Sequence, residues 1–129
     1  MTRKTSLTYL ATPYSLYVGG LEQAFEEAAT LAGMLIASGM NIYSPIVHCH
    51  SIAIHGRLDP LDHSLWLALD DVMLAKCDVL LVAHMAGWEN SFGIKHEIAF
   101  FQDAKKPIFD LDPESMIIKR RQALVTVEL

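Results

Sequence analysis

The sequence has very few cysteines, and this bounds the environment in which the protein works. Of its 129 residues only Cys49 and Cys77 are cysteines, and their separation matches no metal-binding or redox motif. Small proteins of oxidising compartments depend on disulfides, so two unpaired cysteines indicate free thiols in a reducing environment. We therefore expect a cytoplasmic protein.

Long apolar runs are also missing. The run that follows the basic N-terminal residues, Leu7–Ala11, is interrupted by Thr8 and is too short for the core of a signal peptide. A membrane-spanning helix needs about 20 largely apolar residues in succession, and no segment approaches that length. We therefore expect a protein without membrane contacts.

Basic residues are scarce, because 10 Lys and Arg face 15 Asp and Glu, for a net charge of −5. Nucleic-acid binding needs a basic surface to contact phosphates, so this balance argues against a nucleic-acid polymer as partner. A single small anion remains possible, because a helix N-terminus binds one without many Lys or Arg.

The chain is instead rich in apolar residues, at 52% of the sequence, with 19% charged. Such a composition is typical of a folded globular protein, and 129 residues fit one compact domain. Because no repeat, low-complexity tract or linker divides the chain, we predict a single domain over residues 1–129.

Segments with strand and helix patterns alternate along the chain. Predicted strands are Leu7–Ala11, Asn41–Ser44, Asp78–His84 and Pro107–Asp110. Predicted helices begin at Leu21 (ending at Ser38-Gly39), at His63 (capped by Asp62, to Cys77), at Ser91 (to Ala104) and at Asp112-Pro113, with Pro45–Pro60 an irregular loop that has at most a helical turn at Ser51–Ile54. This order predicts a three-layer α/β fold, with a parallel sheet of four to five strands covered by helices on both faces.

Ligands of open parallel sheets bind beyond the carboxyl ends of the strands. Three of those ends carry polar residues here: Ala11–Ser15, Ser44–His50 and His84–Ser91. Since these ends meet at one edge of the sheet, the sequence predicts a small-molecule site there.

The segment Gly87–Glu97 points most directly to chemistry. It follows the apolar run Val79–Ala83 and opens a helical pattern, so a strand, a turn and a helix start are expected. Such a junction places Ser91, Gly93 and the Glu97 carboxylate near free N–H groups, where a sugar or phosphate is held beside a nucleophile. An ordinary surface glutamate is the alternative for Glu97.

Asp70 is the second candidate carboxylate. It lies beside an apolar stripe of its predicted helix, one turn after Trp66, where an ionised group is costly without a partner or a task. Asp71 lies about 100° further round and is predicted to be solvated. Two carboxylates from different helices can act as nucleophile and as acid or base. A partly buried Asp70 bonded to a loop backbone is the alternative.

Hydroxyl groups near the first strand offer further ligand contacts. Tyr9 and the turn formed by Thr12, Pro13, Tyr14 and Ser15 suit ribose or phosphate, although an ordinary strand-end turn fits equally well. No Gly-x-Gly-x-x-Gly pattern follows the strand, so neither a dinucleotide fingerprint nor a P-loop is supported.

The histidines do not predict a metal site. His48, His50 and His55 lack the helical pairing of a zinc protease, and no Cys or carboxylate stands beside them at ligand spacing. We expect no metal, and we expect His50 or His48 to contact the substrate. His84 is read as a packed polar residue, and Trp88 either stacks on a ligand or anchors its loop.

These residues together resemble the nucleoside 2-deoxyribosyltransferase superfamily and, within it, the branch known as DUF1937. The resemblance runs from Leu7 to about Phe109 and implies one such domain with a Rossmann-like, flavodoxin-like sheet. Thr12 departs from the pattern, because the family usually has a small Gly there. The residues that carry it are Tyr9-Leu10-Ala11-Thr12-Pro13-Tyr14-Ser15, Asp70 and Gly87-Trp88-x-x-Ser91-x-Gly93-x-x-x-Glu97.

The resemblance implies a role for each of these residues. Glu97 is expected to attack the anomeric C1′ of a nucleoside or nucleotide, and Asp70 to handle the base proton or hold a sugar hydroxyl. Tyr9 is expected to contact the sugar and the nucleophile. Ser91 and Gly93 are expected to contact the sugar or a 5′-phosphate.

We therefore expect cleavage or transfer of an N-glycosidic bond, with no cofactor. The alternatives are a non-catalytic nucleotide-binding module, which would not need the Asp70–Glu97 pair, and a metal-dependent hydrolase. A homo-oligomer is also expected, because the helices from Leu21 and His63 have wide apolar faces and the chain ends in an apolar tail at Leu124 and Val125.

Overall fold

A computed structural model describes residues 5–122, which form a five-stranded sheet with helices on both faces. The strand order is β2-β1-β3-β4-β5, with the first four strands parallel and β5 antiparallel to β4. The strands are β1 (Leu7–Ala11), β2 (Asn41–Tyr43), β3 (Val79–Ala83), β4 (Ile108–Leu111) and β5 (Ile118–Arg120), and the helices are α1 (Leu21–Ala37), α2 (Pro45–Gly56), α3 (His63–Lys76) and α4 (Phe92–Asp103). The predicted three-layer α/β fold is confirmed.

Both faces of the central strands are buried, because successive side chains alternate between them. On one face Tyr9 and Val82 pack under α3 and α4, against Leu74 and Phe101. On the other face Leu10 and its neighbours pack under α1. β1 and β3 are therefore covered on both sides, as expected for the centre of a parallel sheet.

Several helix boundaries follow the local signals in the sequence. α1 begins at Leu21, and Gly39, at φ 105°, provides the left-handed residue after its end. Asp62 caps α3 by accepting a hydrogen bond from the Leu65 amide, and Ser91 caps α4 in the same way from the Ile94 amide. Within residues 5–122, no helix combines the length and the apolar character that crossing a bilayer requires.

The prediction of an irregular loop over Pro45–Pro60 was wrong, because most of this segment is helix α2. Ser44 caps α2 by accepting a hydrogen bond from the Val47 amide, and Pro45 occupies the first turn, where its missing N–H costs nothing. The helix ends at Arg57, a left-handed residue with φ 59°. α2 follows β2 at once, so its first turns lie at the carboxyl edge of the sheet.

The predicted final helix from Asp112 was also wrong, and with it the prediction of an all-parallel sheet. Asp112 accepts a hydrogen bond from the Glu114 amide within a turn, and β5 then returns antiparallel to β4. Asp and Pro open tight turns as readily as helices, and the β-branched Ile118 favours a strand. The predicted tail residues Leu124 and Val125 lie outside the described residues.

Candidate functional site

A cleft opens at the carboxyl edge of the sheet where the chain order reverses between β1 and β3. In open α/β sheets this switch point is where ligands bind. The space between its walls, including the part open to solvent, is about 690 Å³.

The structure brings most of the predicted site residues into this cleft and leaves four outside its lining. Pro13 and Gly87 line an adjoining pocket, whose wall shares Tyr14 and Ser91 with the cleft. Tyr9 is fully buried in the core beneath the cleft, and Trp88 lies away from it. The predicted residues that line the cleft are Thr12, Tyr14, Ser15, His50, Asp70, Ser91, Gly93 and Glu97.

Glu97 is a buried carboxyl group at the floor of the cleft. It lies one to two turns into α4 and is 7% exposed. Burial raises its pKa to about 8, the nearby Tyr9 hydroxyl lowers it in part, and the charge of Asp70 raises it further. A carboxyl group held in this way carries a proton at neutral pH unless a ligand or partner stabilises its charge.

Tyr9 places a hydroxyl group beside Glu97 from below. Its side chain is fully buried, and burial, followed by the charges of Glu97 and Asp70, raises its pKa far above the usual range. The hydroxyl influences the Glu97 carboxyl, yet it makes no hydrogen bond of good geometry to any described residue. It is therefore a protonated hydroxyl that lies close enough to Glu97 to donate to that carboxyl group.

Thr12 provides a second hydroxyl group of this kind. It ends the first strand, is 4% exposed and lines the cleft, and its Oγ1 has no hydrogen-bond partner among the described residues. An unsatisfied buried polar group costs about 1–3 kcal/mol, so such groups are normally paired in native proteins. The Thr12 hydroxyl is therefore free to pair with water or with a polar ligand in the cleft.

Asp70 reaches the cleft from α3, on the side opposite to α1. Burial raises its pKa to about 6, a hydrogen bond from Cys49 opposes this rise, and the neighbouring Asp71 adds to it. The thiol of Cys49 lies 3.7 Å from Asp70 Oδ1. Burial and the charge of Asp70 raise the pKa of Cys49 to about 12, so the thiol keeps its proton and acts as a donor.

The N-terminus of α4 forms one wall of the cleft. The Ser91 hydroxyl is occupied in capping the helix, at 3.3 Å from the Ile94 amide nitrogen. Gly93 also lines the cleft, and a Cβ added to it would meet only the Ser91 hydroxyl, at 3.9 Å. The cleft next to Gly93 is thus open for close approach of a ligand to the backbone.

Tyr14 is linked to the surface by a chain of hydrogen bonds through His50. Its hydroxyl lies 2.6 Å from His50 Nδ1, and His50 Nε2 lies 2.9 Å from Glu22 Oε2 on α1. His50 is 4% exposed and stacks on Phe25 at 4.6 Å between ring centroids. Burial, then the charges of Cys49 and Glu22, raises the pKa of Tyr14 to about 12, so its proton stays in place at neutral pH.

Trp88 is a loop anchor in this structure. Its ring stacks on His84 at 4.0 Å between centroids, and His84 Nε2 lies 2.8 Å from Asp110 Oδ1. Asp110 in turn accepts two hydrogen bonds from Arg121. His84 is 37% exposed, so it is a surface residue whose ring stacks on Trp88, and this contact fixes the turn that leads into α4.

His48, His55 and His96 do not line the cleft. His48 is exposed, with Nδ1 at 3.4 Å from the Tyr43 hydroxyl, and His55 is exposed in the last turn of α2. His96 Nε2 lies 2.6 Å from Asp71 Oδ1 and links α4 to α3, while the Asp71 side chain stays 46% exposed, in agreement with the prediction that it is solvated. In the part of the chain that the structure describes, no three His, Cys, Asp or Glu side chains are grouped to hold a metal ion.

The sequence did not identify the apolar walls of the cleft. Only Trp66, one turn before Asp70, carried a signal, since it shares a helix stripe with that residue. His63 packs edge-on against Phe92 at 6.3 Å between ring centroids, and Phe92 is 61% exposed at the cleft. The lining residues not predicted as site residues are Pro45, Ile46, Cys49, Pro60, His63, Trp66, Leu67 and Phe92.

The family of the chain follows from a match to a family model. The model described as "Domain of unknown function (DUF1937)" matches residues 6–112. The chain therefore belongs to the DUF1937 family, as the resemblance predicted, and the wider superfamily relation stays a prediction. A comparison with curated proteins gave no match.

A methyl group added at position 93 is expected to weaken ligand binding without lowering the stability of the fold. Gly93→Ala should leave the fold intact or stabilise it by up to about 1 kcal/mol, because alanine is the better helix former. The same methyl group would occupy the space that the ligand needs, and ligand affinity should fall at least about tenfold. Thermal unfolding and ligand titration measure the two effects.

Gly33→Ala is the matched control, because Gly33 lies in α1 and a Cβ added there meets no atom within 4 Å. It should show the same stability change without any change in affinity. Undiminished ligand affinity in Gly93→Ala would contradict the placement of the ligand against α4.

Proposed function

We propose that the protein cleaves or transfers the N-glycosidic bond of a nucleoside or nucleotide, with Glu97 as nucleophile and Asp70 as acid and base. The observation that carries this proposal is a pair of carboxyl groups in one cleft, Glu97 buried and Asp70 half-buried, accompanied by two buried hydroxyl groups that have no hydrogen-bond partner of good geometry among the described residues. The proposal also rests on the resemblance of the motif Ser91-x-Gly93-x-x-x-Glu97 to that of the deoxyribosyltransferase superfamily.

The chemistry requires one proton on the two carboxyl groups. In the free protein Glu97 holds this proton, because its pKa is the higher, and the proton passes to Asp70 when a bound ligand and the Tyr9 hydroxyl stabilise the ionised Glu97. The Glu97 carboxylate attacks C1′ while the bond from C1′ to the base nitrogen breaks, and the bonding electrons leave with the base. Asp70 in its acid form gives its proton to that nitrogen. Asp70, now ionised, then takes a proton from water or from a second base, which attacks C1′ and releases Glu97.

The environment of the pair suits a transition state with positive charge on the sugar. Two acidic groups lie beside the reacting carbon, and the buried hydroxyl of Tyr9 can donate to the Glu97 carboxylate as it becomes ionised. Hydrogen bonds that strengthen as charge develops in the transition state lower the activation barrier. The Thr12 hydroxyl is available for a sugar oxygen.

The apolar walls of the cleft suit the base. Trp66 is half-buried and is fixed by its indole N–H, which donates to the Asp59 carbonyl at 2.8 Å. Phe92 and Leu67 line the same cleft. Aromatic rings of this kind bind a planar heterocycle by stacking at low cost in conformational entropy.

A direct test is incubation of the purified protein with the ribo- and 2′-deoxynucleosides and their 5′-monophosphates, with free base measured by chromatography. Base should appear with at least one substrate class, in water alone for a hydrolase or only with a second base for a transferase. Stabilisation by these ligands without base release would instead indicate a non-catalytic nucleotide-binding module.

A further inference from the structure

Two hydrogen bonds connect Tyr14 to Glu22 through His50. The Glu22 carboxylate at one end determines which atom donates in each of them. The Glu22 carboxylate can only accept, so His50 Nε2 donates to it, and an imidazole with a single proton holds that proton on Nε2. His50 Nδ1 then accepts, and the proton of the Tyr14 hydroxyl is committed to it at 2.6 Å. Tyr14 therefore presents only lone pairs to the cleft.

A hydroxyl group that can only accept selects for a donor in the ligand. Sugar hydroxyls and exocyclic amines are donors, whereas an ionised phosphate has acceptor oxygens only. Tyr14 lines both the cleft and the adjoining pocket, so it faces a ligand that occupies either of these two spaces. A phosphate placed near Tyr14 would bring acceptor against acceptor.

The charges around the cleft and the adjoining pocket also disfavour a phosphate. None of the residues that line either space in the described part of the chain is Lys or Arg. Asp70 and Glu97 line the cleft, and Glu22 stands behind His50. The amide groups at the start of α4 donate equally well to a sugar oxygen, so they do not demand an anion.

We propose that the site selects nucleosides with free hydroxyl groups over their 5′-monophosphates, through a Tyr14 hydroxyl that Glu22 and His50 hold as an acceptor. This inference rests on the proposed function for the identity of the ligand as a nucleoside. In it Tyr14 contacts the ligand, and Glu22 and His50 are positioning residues.

The test measures binding of the four 2′-deoxynucleosides and of their 5′-monophosphates by calorimetry, in a Glu97→Gln background so that the ligands are not consumed. Every nucleoside that binds should do so at least about tenfold more tightly than its monophosphate, because a phosphate oxygen would face the Tyr14 hydroxyl as acceptor against acceptor. Thermal unfolding confirms that each variant is folded.

Glu22→Lys is designed to reverse the donor and acceptor roles of the two His50 nitrogens. A lysine can only donate, so it makes His50 Nε2 the acceptor and Nδ1 the donor, and it frees the Tyr14 proton for the ligand. Glu22 is 67% exposed, which permits the change without loss of the fold. The preference for nucleoside over monophosphate should fall about tenfold.

Glu26→Lys is the matched control, because it makes the same charge change one turn further along α1 on an exposed residue. It should alter the preference by no more than about twofold, since exposed charges are screened. Equal effects of the two variants would overturn the role of the Glu22–His50 chain.

Failure of this inference is distinguishable from failure of the proposed function. Monophosphates that bind as tightly as nucleosides overturn the selectivity, while base release by the wild type still upholds the chemistry. Selective nucleoside binding without base release by the wild type overturns the chemistry and upholds the selectivity. Absence of binding by every compound overturns both.

Discussion

Replacing Glu97 by glutamine is expected to reduce base release about a thousandfold or more, because the amide cannot form the covalent bond to C1′. The shape of the side chain is kept, so the variant should fold. Release of free base by the wild type and by Glu97→Gln, under single-turnover conditions, measures this loss. Activity within a few fold of the wild type would remove Glu97 from the proposed mechanism.

The same substitution is expected to stabilise the protein in alkaline solution. Burial raises the pKa of Glu97 from 4.5 to about 8, so the folded state holds this proton more tightly than the unfolded state. Stability therefore falls as the pH rises from about 4.5, and the loss is complete above about 8, at no more than about 5 kcal/mol. Glu97→Gln has no proton to lose and escapes this effect.

Thermal unfolding at pH 6 and at pH 9 measures this difference. Glu26→Gln is the control for both readouts, because Glu26 is an exposed residue of α1. It should match the wild type in activity and in stability at each pH. A stabilisation by Glu97→Gln that does not grow with pH would contradict the burial of an ionisable Glu97.

The pH dependence of kcat/KM for base release is expected to be bell-shaped, with limbs near pH 6 and pH 8. The mechanism uses the form of the carboxyl pair that carries one proton. Below pH 6 both groups are protonated and no nucleophile remains, and above pH 8 both are ionised and no acid remains. Because Asp70 and Glu97 interact, the two pKa values belong to the pair.

Asp70→Asn is expected to lower kcat/KM by about a hundredfold or more and to leave a profile with a single limb. Asparagine can still accept the hydrogen bond from Cys49, so the packing at Asp70 is kept. Asp71→Asn makes the same change one residue away and should keep both limbs. A wild-type profile without an alkaline limb, or an Asp70→Asn profile that keeps both limbs, would rule out the shared proton.

The positions of Glu97, Ser91 and Thr12 at one edge of the sheet could be predicted from the sequence. A parallel sheet brings successive strand ends together, so strand patterns alone place these residues near one another. Asp62 was found as a helix cap because a cap is a local signal that depends only on its nearest neighbours in the chain.

The helix α2 and the strand β5 could not be predicted in this way, because competing local signals were equally strong. Ser44 and Pro45 start a helix, but the segment with its three histidines was interpreted as a long irregular loop. Asp112 and Pro113 fit a helix start and a turn alike, and pairing with β4 decides for the turn. Pairing with β4 overrode the local preference at β5, whereas α2 begins on the local signals of Ser44 and Pro45.

The hydrogen-bond partners within the site lay further beyond the sequence. Glu22 and His50 are 28 residues apart, and Cys49 and Asp70 are 21 apart. Neither pair has a spacing that a motif records, because each joins two different helices. Which of His48 and His50 faces the cleft depended on the helical phase of α2, and that phase is unknown while the segment is taken for a loop.

Both edges of the sheet are short, and this bears on how copies of the protein meet. The edge strands β2 and β5 have three residues each, and β5 carries Lys119 and Arg120. Short, cationic edges resist the backbone pairing through which sheets of separate molecules aggregate. The apolar side chains exposed on helices, such as Leu65 and Val72 on α3, then leave helix packing as the route to self-association. The cleft opens at the ends of the strands and not along an edge strand, so pairing of edge strands between molecules would not cover it.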